Sequence, residues 1–394
     1  MSLDAAFPRT TELPGAIGHR TGTMRTAAIG RRPPATSMRL LGQQCIGSLR
    51  EHALFIALVV VYVGLGWAMP RWTDVPVAYV PDLYSTNLLL FTAAFLVLGG
   101  LAAIVYVMIW VRPPQLLRYL ATALFERVLT GSRLWSFAPV FLLLPVVMST
   151  FTYFKVLIPH IRPFDLDPLF AEMDRIVHFG WQPWEILQPL LGYPVVTAAV
   201  NFIYHLWLFV LFGVLLWQGF SLSRPRLRMR YLITFILLWA VLGNIAATVL
   251  SSAGPVYYGR VTGLADPFAP LMAYLHQASQ LVWLPALDVQ EMLWEAYANS
   301  DLDVGRGISA MPSLHVATSL SFALLGFAIN RWLGIAFAAF AGAIFVGSIH
   351  LGWHYALDGY VAAIGTLAIW WFVGWFIERP TVIRLLWGES ASTE

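Results

Sequence analysis

Apolar residues in this chain come in long runs rather than in the one-faced patterns of soluble helices. Eight of these runs approach the ~20 residues that an α-helix needs to cross a bilayer. We therefore predict an all-α fold, a polytopic membrane helical bundle with about eight transmembrane helices. The predicted spans are residues 53–69, 86–110, 136–158, 193–219, 231–251, 311–329, 332–350 and 358–377.

Three segments outside these runs have patterns of their own. Residues 169–177 repeat apolar side chains at helical spacing, which predicts a short helix lying on the membrane surface. A second such helix is predicted over 286–297, with Pro285 placed to start it. Residues 1–50 are rich in Pro, Gly, Thr and Arg without an apolar run, so we predict a disordered basic tail.

The composition excludes an ordinary soluble protein. Hydrophobic residues make up 59% of the chain and charged residues 11%, and the mean hydropathy is +0.70, whereas soluble domains carry about 25% charged residues. The net charge of +3 is too small to indicate a nucleic-acid partner. Cys45 is the only cysteine, which excludes an intrachain disulfide and a cysteine-based metal site.

The arginines divide the loops into two sets. They concentrate in the N-terminal tail, after the second, fourth and eighth spans, and in the turn after the sixth. These segments share one side if all eight spans cross, and loops rich in arginine are typically cytoplasmic. Both termini are therefore predicted to be cytoplasmic. The opposite loops, which hold many of the acidic residues, are 70–85, 159–192, 252–310 and 351–357.

Three polar clusters interrupt the apolar chain, all at the predicted outer ends of spans. The first is Lys155, Arg162 and Pro163, and Lys155 is the only lysine in the chain. Two cations at a membrane boundary are explained by snorkelling towards lipid headgroups. Phosphate binding is the alternative explanation, since a fixed guanidinium fork and an ammonium suit a phosphate dianion. The scarcity of other positive charge on this side favours phosphate binding.

The second cluster opens the sixth span with Ser309, Pro312, Ser313 and His315. Proline is favoured in the first turn of a helix and serine caps it. Free backbone N–H groups at a helix start bind anions. A capped helix that carries an incidental histidine is the alternative interpretation.

The third cluster joins spans seven and eight and contains His350, His354 and Asp358. His354 and Asp358 lie one helical turn apart, within mutual reach. An aspartate that fixes the tautomer of a histidine prepares it as a nucleophile or base. A structural His–Asp pair and a metal site are the alternatives. The missing cysteine ligand and the missing His-Glu-x-x-His pattern weigh against metal.

Together the clusters resemble the signature of the type 2 phosphatidic acid phosphatase superfamily, which reads K-x6-RP, PSGH and SR-x5-H-x3-D. The resemblance covers the six spans from about 136 to 377 and implies a six-helix phosphatidic acid phosphatase-like catalytic core over 136–380. Two additional transmembrane helices (51–135) would precede it, and a cytoplasmic tail (381–394) would follow. The matching residues are Lys155, Arg162 and Pro163, then Pro312, Ser313 and His315, and finally His354 and Asp358.

The chain departs from this signature at two places. Leu314 replaces the glycine of the second motif, and Gly347 and Ser348 stand where the third motif has Ser-Arg. One phosphate ligand is thereby lost, and His350 is a candidate substitute. The run Ala-Met-Pro-Ser-Leu-His, with Tyr355 after His354, is similar to the inositol phosphorylceramide synthase branch, which transfers a phosphoalcohol group between lipids.

The resemblance implies a role for each matched residue. His354 would attack phosphorus to form a phosphohistidine, Asp358 would orient it, and His315 would protonate the leaving oxygen. The family works without metal, so neither a metal nor another cofactor is expected. The residues expected to hold the phosphoryl oxygens are Lys155, Arg162 and Ser313, with His350 as a further candidate.

The expected function is that of a membrane lipid phosphotransferase acting on phospholipid or sphingolipid headgroups. Its expected partners are a lipid phosphate, an alcohol or water acceptor and the bilayer, with no nucleic acid. A lipid phosphatase that hydrolyses a phosphomonoester or pyrophosphate is the alternative. The non-enzymatic alternative is a lipid carrier or flippase. The His354–Asp358 pair weighs against it, because binding alone needs no oriented histidine. The expected location is the plasma (inner) membrane, with the active site on the non-cytoplasmic face.

Overall fold

The computed structural model describes residues 35–72 and 77–388, and in these ranges the regular structure is entirely helical. The predicted all-α membrane bundle is confirmed. The helices are α1 (Ala35–Glu51), α2 (Ala53–Arg71), α3 (Ser85–Val111), α4 (Leu116–Ala123), α5 (Gly131–Ile161), α6 (Asp167–Val177), α7 (Pro183–Leu191), α8 (Pro194–Phe220), α9 (Pro225–Val249), α10 (Tyr258–Thr262), α11 (Ala269–Ser279), α12 (Pro285–Ala298), α13 (Leu314–Ile329), α14 (Arg331–His350), α15 (Ala356–Ile377) and α16 (Pro380–Trp387).

Seven of these helices are long and apolar enough to cross a membrane, namely α2, α3, α5, α8, α9, α14 and α15. The chain is therefore an integral membrane protein. The remaining predicted span, the sixth, corresponds to α13, which is apolar but has only 16 residues. At 1.5 Å per residue it is about 24 Å long, shorter than the ~30 Å hydrocarbon core. The six residues before it, 308–313, are mostly buried and non-helical.

Both predicted surface helices are present. The apolar repeat at 169–177 lies in α6, and α12 begins at Pro285 as predicted. In α6, Phe170 is buried whereas Leu169 and Ile176 are exposed. The long loops also contain α7, α10 and α11, which the sequence analysis does not predict.

The tail prediction needs correction where the structure describes it. Residues 1–34 lie outside the described residues, but α1 is helical up to Glu51. Its apolar residues occur singly or in pairs, so a search for long apolar runs misses it. Tertiary contacts hold α1 in place, as is usual for short helices. The Ser48 hydroxyl donates to the Trp135 carbonyl at 2.6 Å, and Arg50 donates to the Arg384 and Leu385 carbonyls of α16 at 2.6 and 2.7 Å.

The fold brings the starts of α13 and α15 to the same end of the bundle. α13 and α14 form a hairpin that turns at Asn330, whose side chain accepts from the Trp332 N–H at 2.8 Å. The two helices approach closely at Gly334, where a Cβ would collide with the Phe327 ring. α15 then returns alongside α13. As a result the Ser313 N–H donates to the Asp358 carbonyl at 3.2 Å.

Candidate active site

A cavity of about 400 Å³ lies where α5 ends and α13 begins. Its polar lining includes Lys155 from α5, His315 from α13 and His354 from the loop between α14 and α15. These residues come from the three separate sequence clusters. The structure therefore brings residues from all three clusters to a single cavity.

His354 is held by Asp358. Its Nδ1 donates to Asp358 Oδ2 at 3.0 Å, and the Tyr355 N–H donates to the same oxygen at 3.0 Å. The side chain of Asp358 is fully buried, and His354 is 7% exposed. The Ala310 backbone also lies within hydrogen-bonding reach of the ring. An ionised carboxylate only accepts hydrogen bonds, so with Asp358 ionised the proton lies on Nδ1 and Nε2 carries the lone pair. This is the arrangement that a nucleophilic histidine requires.

The surroundings of His354 keep its ring neutral. Burial, followed by the nearby Lys155 ammonium, lowers the pKa of His354 from 6.5 to about 3. A neutral imidazole at physiological pH retains the lone pair that attack on phosphorus needs.

Two buried aspartates on α6 position the segment around His354. Asp174 accepts from the Ala356 and Leu357 N–H groups at 2.7 and 2.9 Å and so caps α15. Asp167 accepts from the Tyr355 hydroxyl at 2.8 Å and from two backbone N–H groups of the 251–254 segment. Burial raises the pKa of both carboxyls, and these hydrogen bonds oppose the rise.

Neither aspartate belongs to one of the three polar clusters seen in the sequence. Asp167 and Asp174 are seven residues apart, which places them on one face of a helix. That spacing is the signal that identifies them, although only Asp174 lies within the predicted helix 169–177 and Asp167 precedes it by two residues.

His315 is fixed by aromatic stacking. Its ring centroid lies 4.0 Å from that of Trp207 and 4.7 Å from that of Tyr204. The centroids of His315 and His354 are 6.2 Å apart. Two imidazoles that face one cavity at this separation are able to act on opposite sides of one phosphoryl group, one as nucleophile and the other as proton donor.

Three residues expected to bind phosphate lie outside the cavity lining. Ser313 is fully buried, and its hydroxyl caps α13 by accepting from the Val316 N–H at 3.5 Å. His350 is turned towards α8, with its Nε2 2.9 Å from the Thr197 hydroxyl. Neither position gives direct access to a ligand in the cavity.

Arg162 also points elsewhere. Its Nε donates to Asp165 at 3.2 Å, and its Nη1 donates to the Val249 carbonyl. Seven residues would put Lys155 and Arg162 on one helical face, but α5 ends at Ile161 and Arg162 is extended, with φ −142° and ψ 120°. The expected pairing of the two cations is therefore absent from this structure.

Arg306 lines the cavity instead. It lies in the segment between α12 and α13, and the sequence analysis does not single it out. Its signal in the sequence is the run Gly305-Arg306-Gly307, an arginine between two glycines.

Among the described residues, no group of three His, Cys, Asp or Glu side chains has an arrangement that would hold a metal ion.

Comparison with known proteins adds one finding. A family model described as the PAP2 superfamily matches residues 169–372, which is just over half of the chain. The matched region contains His315, His354 and Asp358 and begins after Lys155 and Arg162. No curated protein and no solved structure gives a significant match.

Proposed function

The chain belongs to the PAP2 superfamily, the type 2 phosphatidic acid phosphatases, and on that premise we propose that it transfers the phosphoryl part of a lipid phosphate through His354. Family membership supports a lipid phosphatase or phosphotransferase type of activity. The observation that carries the assignment is the 3.0 Å hydrogen bond from His354 to buried Asp358, at a cavity that also holds Lys155 and His315.

The reaction would proceed in two displacements. In the first, His354 Nε2 forms a bond to phosphorus, the bond to the leaving oxygen breaks, and His315 gives that oxygen its proton. Asp358 stabilises the imidazolium character that develops on His354. In the second, His315 takes a proton from the acceptor hydroxyl, whose oxygen attacks phosphorus and releases His354. Lys155 stabilises the negative charge that develops on the phosphoryl oxygens in both steps.

Within this class we favour a transferase similar to inositol phosphorylceramide synthases. The second-motif sequence, with Leu314 in place of glycine, supports this choice. The apolar part of the cavity supports it too, since Phe91, Phe151 and Phe212 line the wall and limit access of bulk water. Hydrolysis of a lipid phosphomonoester uses the same histidines and is the second candidate.

The acceptor experiment separates these two candidates. Purified protein is incubated with radiolabelled phosphatidic acid or phosphatidylinositol, with and without diacylglycerol or ceramide, and the products are identified. A new phospholipid that depends on the added acceptor supports a transferase. Free phosphate or phosphoinositol, formed at the same rate without acceptor, would identify a hydrolase.

The covalent intermediate is tested by trapping. Brief incubation with labelled substrate followed by acid-free quenching should leave label on His354, and none should remain in His354→Gln. Label on another residue would reject the assignment of the nucleophile. Binding of the lipid without any labelled protein or product would favour a carrier.

We also propose that the cavity faces away from the cytoplasm, as the arginine distribution indicates. Phe179 and Trp283 are well exposed in the predicted outer loops, and Leu117 is exposed in a predicted inner loop. Single cysteines at these positions, in a Cys45→Ser background, should react with an impermeant reagent from opposite sides. Labelling of positions 179 and 283 from the cytoplasmic side would reverse the topology.

A further inference from the structure

We propose that Arg306 is a phosphate-binding residue of this site, with Lys155 as its partner. The inference rests on the proposed function and names the second cation that holds the phosphoryl oxygens. It concerns a residue that neither the family signature nor the motif spacing indicates.

Ser348 occupies the position of the arginine in the third motif of the family signature, and its hydrogen bonds are made to the protein backbone. Its hydroxyl donates to the Phe345 carbonyl at 2.7 Å, and its own carbonyl accepts from the Trp353 and His354 N–H groups. Ser348 therefore shapes the backbone that carries His354 and contributes no positive charge. A phosphoryl group in the cavity needs its second cation from another segment.

Arg306 is the arginine that the cavity contains. It lines the same walls as Lys155, His315 and His354, and no carboxylate lines this cavity within the described ranges. Two cations that share a partly apolar cavity repel each other, and the low dielectric strengthens the repulsion. An anion bound between them replaces this repulsion with two attractive interactions, so the charge distribution favours binding of a phosphoryl group.

The guanidinium of Arg306 is only partly used by the protein. Its Nη1 donates to the Met292 carbonyl at 2.9 Å, which fixes one edge of the group. Its Nε is buried and has no hydrogen-bond partner among the residues described. A buried donor without an acceptor destabilises the folded protein, and a charged donor does so more strongly than a neutral one. A phosphoryl oxygen would supply the missing acceptor.

The backbone around Arg306 is held against Lys155. Gly305 and Gly307 have φ of +75° and +91°, which other residues rarely adopt. A Cβ on Gly307 would lie 3.1 Å from the carbonyl carbon and the Cγ of Lys155. The Gly305 N–H donates to the Tyr84 hydroxyl at 2.6 Å, and that hydroxyl lies 2.8 Å from the Thr152 hydroxyl, one turn before Lys155. Glycine on both sides thus allows Arg306 to be placed beside Lys155.

The test compares Arg306→Gln and Arg306→Lys with Arg175→Gln. Arg175 pairs with Glu172 on the exposed surface of α6 and is the matched control. Wild type and variants are assayed for turnover of labelled phosphatidic acid, for inhibition by inorganic phosphate, and for thermal stability. Loss of a hydrogen bond to a charged group predicts a fall of about 10- to 100-fold in kcat/KM for Arg306→Gln. The inhibition constant of inorganic phosphate should rise by a similar factor in Arg306→Gln. Both quantities in Arg306→Lys should lie between those of the wild type and those of Arg306→Gln.

A second measurement separates phosphate binding from a structural tie to Met292. Guanidinium at millimolar concentration should restore part of the turnover of Arg306→Ala, whereas sodium chloride at the same ionic strength should not. Wild-type turnover and phosphate inhibition in Arg306→Gln would overturn the inference. So would a loss that follows a lowered Tm and is not rescued by guanidinium. Absence of turnover and of labelled protein in the wild type would instead reject the proposed function.

Discussion

Replacement of Asp358 by asparagine tests the central hydrogen bond of the site with little change in shape. Asp358 is fully buried, and its Oδ2 accepts from both His354 Nδ1 and the Tyr355 N–H at 3.0 Å. Asparagine keeps the size and one carbonyl oxygen, but it removes the negative charge. The neutral variant can still order the segment, yet it cannot stabilise positive charge on His354 as phosphorus is attacked.

The expected magnitude follows from the geometry. A unit charge about 4 Å from a developing imidazolium contributes about 4 kcal/mol at an effective dielectric constant of ~20. That free energy corresponds to a rate factor of about 10³. The same substitution in the Ser-His-Asp triad lowers kcat by about 10⁴, because the wrong histidine tautomer is also favoured. Asp358→Asn should therefore slow phosphoenzyme formation by about 10³- to 10⁴-fold.

The rate is measured by rapid quenching in a single turnover with labelled substrate, alongside the Tm of each variant. Asp165→Asn is the control, because Asp165 is 55% exposed and pairs with Arg162 at the surface, where ion pairs contribute little. A rate within tenfold of wild type in Asp358→Asn would refute the argument that the Asp358 charge assists attack by His354.

Three further outcomes follow from the site. Lys155→Arg should lower turnover about 100-fold with an unchanged Tm, since a forked guanidinium cannot place its charge within ~1 Å of the position of the ammonium. The control Arg118→Lys, at an exposed position, should leave turnover unchanged. Full activity in Lys155→Arg would restore the snorkelling interpretation. His315→Gln should slow phosphoenzyme formation from lipid phosphates by about 10²- to 10⁴-fold but slow phosphoenzyme formation from a nitrophenyl phosphate ester much less, because that leaving group needs no proton. Equal losses in this first step would contradict the acid role. The pKa of His354 is lowered to about 3, so its ring stays neutral as the pH falls from 7.5 to 5. The rate of phosphoenzyme formation from the nitrophenyl ester should therefore persist over this range. A decline with a midpoint near pH 6.5 would contradict this expectation.

The sequence predicts the parts of the molecule that depend on local pattern. Apolar length identifies the spanning helices, because a helix in lipid must satisfy its backbone within the segment. The four-residue spacing of His354 and Asp358 predicts their contact, although His354 precedes α15 and the contact forms because Asp358, in the first turn of α15, reaches back towards the loop. The convergence of Lys155, His315 and His354 follows from counting the spans between them.

The parts that depend on where a helix stops were predicted less well. The spacing of Lys155 and Arg162 indicates a shared face only while the helix continues, and α5 ends at Ile161, just before Arg162. Arg306 is the converse case. It lies in a loop, and its approach to Lys155 depends on the conformations of Gly305 and Gly307. Neither outcome follows from periodicity, because loop paths are set by tertiary packing.

The helices before the matched family region also shape the cavity, which has a consequence for substrate binding. Tyr84, at the start of α3, bonds to Gly305, and Phe91, one to two turns into α3, stacks on Phe212 of α8 with centroids 4.7 Å apart. Tyr84 and Phe91 both line the cavity. One end of the cavity therefore carries cations and imidazoles, and the wall between α3 and α8 is aromatic. A ligand that satisfies both ends has an anionic head and an apolar tail, which is the form of a lipid phosphate rather than of a water-soluble phosphate ester.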